Sequence, residues 1–144
     1  MVCEPQIQNP EFKIQNPTMT GSILIADDYA DNRELLRLML TAAGYRVREA
    51  RDGRECILML EEELPDIVLV DLSMPVLDGW GVLKELRATE RTRHIPCVAV
   101  TAFSDYERMR STETDFDAYL TKPFRTQELL NTVARLMAKD PQGV

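Results

Sequence analysis

The chain has 144 residues, the length of one domain with a single substantial core. Its 24 acidic and 17 basic side chains leave a net charge of −7, which excludes the basic surface that non-specific binding to nucleic acid or an anionic membrane requires. No apolar run approaches the roughly 20 residues of a membrane span, and the N-terminus, with Glu4, Glu11 and no apolar core segment, is no secretory signal.

Cys3, Cys56 and Cys97 are unevenly spaced with no close pair, which reads as reduced thiols in a cytoplasmic protein. His94 is the only histidine, so a His-based metal site or a Ser-His-Asp triad has little support. Residues 1–21 read as an irregular tail. The tetrapeptide Ile-Gln-Asn-Pro occurs there at Ile7 and again at Ile14, too few copies for a repeat fold.

Ser22-Ile-Leu-Ile-Ala26 is a short apolar strand that ends on Asp27-Asp28. Asp31 and Asn32 offer capping chemistry for a helix running to about Ala43, with Gly44 as its stop. Its apolar residues cover an arc of about 200°, wider than one core contact needs. The flank holding Leu36 and Leu40, beside Arg33, is either exposed to a partner or deeply buried. Tyr45–Ala50 alternates and reads as an edge or half-buried strand. Asp52-Gly53 turns the chain into a helix from Arg54 to Glu63, which Leu64-Pro65 ends.

Ile67-Val-Leu-Val70, three of the four β-branched, reads as a strand buried on both faces, and it also ends on an acid, Asp71. Pro75 and Asp78-Gly79 are turn chemistry, so a loop follows at once. Trp80 to about Glu90 is helical with Val82, Leu83 and Leu86 on one face, and Arg91, Arg93 and His94 lie in a solvated connection. Ile95–Thr101 is another buried strand, ending on a hydroxyl. Ser104-Asp-Tyr-Glu107 is a capping box that opens a fourth helix, to about Thr112, with little apolar surface. Phe116–Leu120 is a fifth strand leading into Thr121-Lys122-Pro123-Phe124. Thr126 caps a fifth helix with Leu129, Leu130, Val133, Leu136 and Met137 inward, and residues 140–144 are a tail.

Five strand–helix alternations predict a parallel five-stranded sheet with helices on both faces, in either a flavodoxin-like or a simple Rossmann order. No Gly-x-Gly-x-x-Gly follows the first strand, which counts against a dinucleotide site. In such a sheet Asp27-Asp28, Asp71, Thr101 and Lys122 emerge at one edge. Three carboxylates against one ammonium call for a divalent cation, and all-oxygen ligation points to Mg2+ or Mn2+. A carboxylate beside a metal, a lysine and a hydroxyl suits one chemistry: Asp71 attacks a phosphoryl group, Lys122 and the metal neutralise its oxygens, and Thr101 hydrogen-bonds to it.

Ile-Leu-Ile-Ala-Asp27-Asp28, Asp71-Leu-Ser-Met-Pro-Val-Leu-Asp-Gly79, Val-Thr101-Ala102 and Tyr119-Leu-Thr-Lys122-Pro123-Phe124 together resemble the receiver domain of two-component response regulators, single-domain and chemotaxis-regulator-like, over about Ser22 to Lys139. The resemblance implies a flavodoxin-like doubly wound sheet of order 2-1-3-4-5 with five helices, and a domain over 22–139. It implies Asp71 as phosphoacceptor, Asp28 as a direct metal ligand, Asp27 acting largely through metal-bound water, and the Ser73 carbonyl completing the ligands. Thr101 and Tyr119 match the family's switch pair, and Lys122-Pro123 matches its cis peptide. The sequence departs from the family at Asp115, where glycine is usual, and carries a bulky Phe103 which, with Ser73, occupies positions that tune phosphoryl lifetime.

The function so implied is a stand-alone response regulator. It takes phosphate from a histidine kinase or histidine phosphotransfer protein and signals by protein contacts, with a homodimer through the fourth helix–fifth strand–fifth helix face left open. It is not an enzyme beyond self-phosphorylation and slow autodephosphorylation. About five residues follow the last helix, too few to encode an output domain. The alternatives are a phosphorylation-independent binding module and the receiver fragment of a hybrid histidine kinase. A phosphohydrolase with an aspartyl nucleophile would want an acid where Ser73 stands.

Overall fold

Aliphatic runs form the three central strands, and apolar residues spaced three to four apart form the helices between strands. The computed structural model describes residues 21–102, 104 and 116–138. In chain order these make β1 (Ser22–Ala26), α1 (Ala30–Ala42), β2 (Arg46–Ala50), α2 (Gly53–Glu62), β3 (Ile67–Asp71), α3 (Gly79–Ala88), β4 (Cys97–Ala102), β5 (Ala118–Lys122) and α4 (Thr126–Ala138). All strand pairs are parallel, in the order β2-β1-β3-β4-β5. This is the flavodoxin-like doubly wound sheet. Its order reverses between β1 and β3, so the crevice at their carboxyl ends is the topological switch point.

Side-chain alternation along the strands builds two cores. Leu24, Val68, Val70 and Ala99 face Cys56 and Leu60 of α2 and Val82 and Leu86 of α3. Ile23, Ile25, Leu69 and Val100 face Leu36 and Leu40 of α1 and Leu129, Val133 and Leu136 of α4. The central strands β1, β3 and β4 are covered on both faces, which explains their unbroken apolar runs. The edge strand β2 is half-buried as expected, and Arg48 turns from it to donate to the Glu63 carbonyl at 2.6 Å, at the carboxyl end of α2.

Several boundaries differ from the sequence reading. α1 begins at Ala30, with Tyr29 at its N-cap and no side-chain cap, so Asp31 lies in the first turn instead of capping it. Leu36 and Leu40 are buried; the large apolar residues of α1 that stand exposed are Leu35 and Leu38, 50% and 51% accessible. Of the two readings left open for the Leu36–Leu40 flank, burial is the one found, because α1 turns Leu36 and Leu40 into the sheet. α2 starts at Gly53, capped by Asp52, whose side chain accepts from Glu55 N–H at 2.9 Å. β5 runs to Lys122, making Lys122 the last strand residue and not the start of a loop. Thr126 is the first residue of α4; Glu128 accepts from Arg125 N–H at 2.8 Å in the place of a Thr126 cap. Leu130 and Met137 are only half-buried. The fourth expected helix beyond Ser104 falls outside the described residues, as do Phe103, Asp115, residues 1–20, residues 139–144 and part of the expected dimer face. Among the described residues no helix is long and apolar enough to cross a membrane.

The two core thiols are free and buried. Burial pushes the Cys56 thiol up to about 12, and that of Cys97 higher than its ordinary value as well. The folded state therefore keeps the Cys56 proton more tightly than the unfolded chain, whose thiol titrates near 9.0. The stability this gives is complete below that value and is lost as pH rises from about 9 toward about 12. Alkylation of the native protein at pH 8 should spare Cys56 and Cys97, and both should react once denaturant is added; peptide mapping reads the outcome.

Candidate functional site

Asp27, Asp28, Asp71, Thr101 and Lys122 all arrive at the carboxyl edge of the sheet, from β1, β3, β4 and β5. Asp71 is the last residue of β3 and lies in register with Val100 of β4, one position before Thr101. Lys122 ends β5 in register with Ala102. Lys122 thus stands two strands from Asp71, and its long side chain crosses the end of β4 to reach the acid. The Lys122 Nζ donates to Asp71 Oδ2 at 3.2 Å and stands 3.6 Å from Asp27 Oδ2. Oxygens of Asp27, Asp28 and Asp71 all lie within 4.8 Å of one another.

Backbone donors fix the carboxylates. Asp71 Oδ1 accepts from Ser73 N–H at 3.0 Å, an Asx turn that folds the chain back as it leaves β3. Asp27 Oδ1 accepts from Tyr29 N–H at 2.9 Å, and the Asp27 backbone is held at both ends, its N–H by the Ala50 carbonyl and its carbonyl by Arg33 Nη1 at 2.8 Å. Arg33 is itself paired with Glu49 at 3.4 Å. Arg33 and Glu49 support the pocket from α1 and β2; a sequence reading had no means of finding them, since the pair spans two elements and belongs to no motif.

Asp27 is 1% accessible, yet its Oδ2 has no hydrogen-bond partner. A buried carboxylate oxygen left so is costly, and Lys122 at 3.6 Å is too distant to bond it. An orphaned oxygen among three clustered carboxylates is the donor set that a hard divalent cation takes, so the residues present fit Mg2+ or Mn2+.

Thr101 is fully buried, and among the described residues its hydroxyl makes one long bond, to the Ala102 carbonyl at 3.4 Å. Tyr119 pairs with Ala99, two residues before Thr101, so the alternation sets Tyr119 and Thr101 on one face of the sheet. The Tyr119 ring lies edge-on to Phe116, centroids 5.8 Å apart. The Lys122-Pro123 peptide is cis. Beyond Asp71, the loop turns at Val76, whose φ is 70° while Leu77 N–H reaches the Pro75 carbonyl at 2.7 Å, a γ-turn. Asp78 then caps α3, accepting from Gly81 N–H at 2.9 Å.

Burial raises the Asp71 carboxyl above its ordinary value; the Ser73 N–H and Lys122 pull it back and Asp27 pushes it up further. The folded state thus binds the Asp71 proton more tightly than the unfolded chain, and ionisation costs stability once pH rises past the ordinary 3.8. Asp71→Asn should raise the Tm of the metal-free protein at pH 7 by on the order of a few degrees, with the gain shrinking as pH falls toward 3.8. An unchanged or lower Tm would mean that the Lys122 pair outweighs the burial.

Residues 23–134 match the family model described as the response regulator receiver domain. The polar-differentiation response regulator DivK of Brucella ovis is 36% identical over 118 residues, 80% of this chain and 94% of that protein. The probable transcriptional regulator ycf27 of Guillardia theta is 39% identical over 108 residues, 74% of this chain, and there the match spans 41% of the regulator's length. The receiver domain of sensor histidine kinase PA1611 from Pseudomonas aeruginosa has a TM-score of 0.76 at 33% identity, covering 83% of this chain and 98% of that one; its structure has a magnesium ion coordinated in the active-site cleft. With its five-stranded order and its acid pocket both those of that family, this chain belongs to the response regulator receiver domains of two-component signalling.

Proposed function

We propose that the protein is a phosphorylation-activated switch whose phosphoacceptor is Asp71. The observation that carries this is the pairing of Asp71 Oδ2 with Lys122 Nζ at 3.2 Å beside the unpartnered Asp27 Oδ2. Asp27, Asp28, Asp71 and the Ser73 carbonyl would hold Mg2+ or Mn2+. The bound ion would supply positive charge to the phosphoryl oxygens. The chain's own residues do the rest. Ser73 N–H orients the Asp71 carboxylate. A carboxylate oxygen attacks phosphorus as the N–P bond of a phosphohistidine breaks; the electron pair of that bond stays on the imidazole nitrogen. Lys122 shares its charge with the transferred oxygens. Thr101, leaving its long bond, donates to one of them, and Tyr119 follows on the same face of the sheet. The output is a change of surface read by a protein partner, in the cytoplasm where the core thiols stay reduced.

The donor is a histidine kinase or a histidine phosphotransfer protein. A protein donor must dock at the rim of the pocket, and α1 starts there, two residues after Asp28. Its exposed Leu35 and Leu38, three residues apart on one face of α1, offer apolar surface to such a partner. The likeness to DivK over nearly its whole length supports a stand-alone regulator; the likeness to the PA1611 receiver supports the same chemistry within a hybrid kinase.

Incubation with a small phosphodonor and Mg2+ should give a hydroxylamine-labile adduct at Asp71, absent in Asp71→Asn and formed about 10²-fold more slowly in Lys122→Ala. An adduct of equal yield in Asp71→Asn sinks the assignment. Leu38→Asp should slow transfer from a phosphohistidine protein and leave the rate with the small donor unchanged. Equal slowing with both donors would place Leu38 in the fold and not in docking.

A further inference from the structure

The loop from β3 to α3 is seated by glycines that no part of the chemistry uses. A Cβ on Gly53, the first residue of α2, would stand 2.8 Å from the carbonyl carbon of Leu77 and 2.8 Å from its Cβ, and would collide with its carbonyl oxygen. A Cβ on Gly81, in the first turn of α3, would stand 3.0 Å from Leu77 Cγ and collide with Cδ1. Two helices thus close on Leu77 from two sides, and side chains at either position would push it out. Four residues before Leu77 is Ser73, whose N–H holds Asp71 Oδ1 at 3.0 Å. The stretch between has little slack: Leu77 N–H bonds the Pro75 carbonyl, and Gly79 N–H bonds the Leu72 carbonyl at 3.2 Å.

We propose that Gly53 and Gly81 are positioning residues of the acid pocket: together they form the seat of Leu77, and the depth of that seat sets where Ser73 stands against Asp71. Neither glycine belongs to the cluster of Asp27, Asp28 and Asp71. Their effect passes through the loop, and its consequence for metal affinity rests on the reading of the pocket as a Mg2+-dependent phosphoacceptor. The two contacts differ in kind. Gly53 meets backbone, which cannot rotate away. Gly81 meets the branched end of a side chain, which truncation removes.

That difference supplies the test. Amide spectra of the metal-free protein read the Ser73 N–H, and a MgCl2 titration is followed by the fluorescence of Trp80, the sole tryptophan, which adjoins Gly79. Gly53→Ala should shift the Ser73 amide and weaken Mg2+ binding about tenfold, and adding Leu77→Ala should not restore either. Gly81→Ala should give a smaller change in the same direction, reversed by Leu77→Ala. A drop in Tm with the Ser73 amide and the Mg2+ affinity both at wild-type values overturns the proposal and leaves the glycines as packing alone. Should Gly53→Ala fail to fold, the Gly81→Ala pair decides: restoration by Leu77→Ala supports the seat, and an unmoved Ser73 amide in Gly81→Ala overturns it. A wild-type protein that gives no Mg2+ response refutes the reading of the pocket, while the Ser73 amide still judges the seat.

Discussion

One ammonium group serves two buried carboxylates, and the arrangement of the whole sheet edge follows from that shortage. Lys122 reaches Asp71 at hydrogen-bond distance and Asp27 only at 3.6 Å, so the charge balance of the pocket is incomplete by construction. Charges of like sign this close in a partly dry site repel by several kcal/mol at an effective dielectric near 20, to order of magnitude. A hydrophobic substitution would be more stable, as is common for buried ionic groups. What the fold does instead is distribute fixed donors to the acids: Ser73 N–H to Asp71, Tyr29 N–H to Asp27. The parallel topology makes this feasible, because it delivers all the strand ends, and with them the turns that carry those N–H groups, to one edge.

Much of this was legible in the sequence because it is written at strand ends. An apolar run that stops on Asp27-Asp28, Asp71 or Thr101 identifies a buried strand and its polar terminus together, and alternation of strands with helices then places the termini side by side. What was illegible has physical reasons. Whether Leu36 or Leu35 faces inward depends on the rotation of α1 about its axis, which is fixed by packing on the sheet and not by the width of its apolar arc. Helix starts at Ala30 and Gly53 went unread by one or two residues because Asp and Asn offer several adjacent caps. The seat of Leu77 was invisible, since Gly53 reads locally as half of an Asp-Gly turn; only the approach of a loop 24 positions away shows why a side chain is excluded there.

The loop after Asp71 also holds strain where it is tolerable. Val76 is a β-branched residue at φ 70° and is 79% accessible. A non-glycine residue in that region costs on the order of 1–3 kcal/mol, and its exposed side chain recovers little by burial. The conformation persists because the stretch is tied on both sides, by the Asx turn at Asp71 and by the Asp78 cap of α3. Strain confined between two anchors stiffens the segment that flanks Asp71, as the proposed phosphoryl transfer would require of a pocket that must not reorganise.

Across the pocket the opposite property is found. Thr101 is buried, and among the described residues its hydroxyl is bound at 3.4 Å, well beyond the usual 2.7–2.8 Å of a hydroxyl bond. Leaving such a bond costs little, so a single better acceptor is enough to draw the hydroxyl away. A phosphoryl group on Asp71 would bring several such oxygens and more negative charge. A two-state element responds only to a difference in binding between its states, and here that difference would come almost entirely from the new bond. On the proposed function, the stiff side at β3 and the loosely tied hydroxyl at β4 would divide the work: the first would hold the chemistry still, and the second would convert its outcome into movement along the face that Thr101 shares with Tyr119.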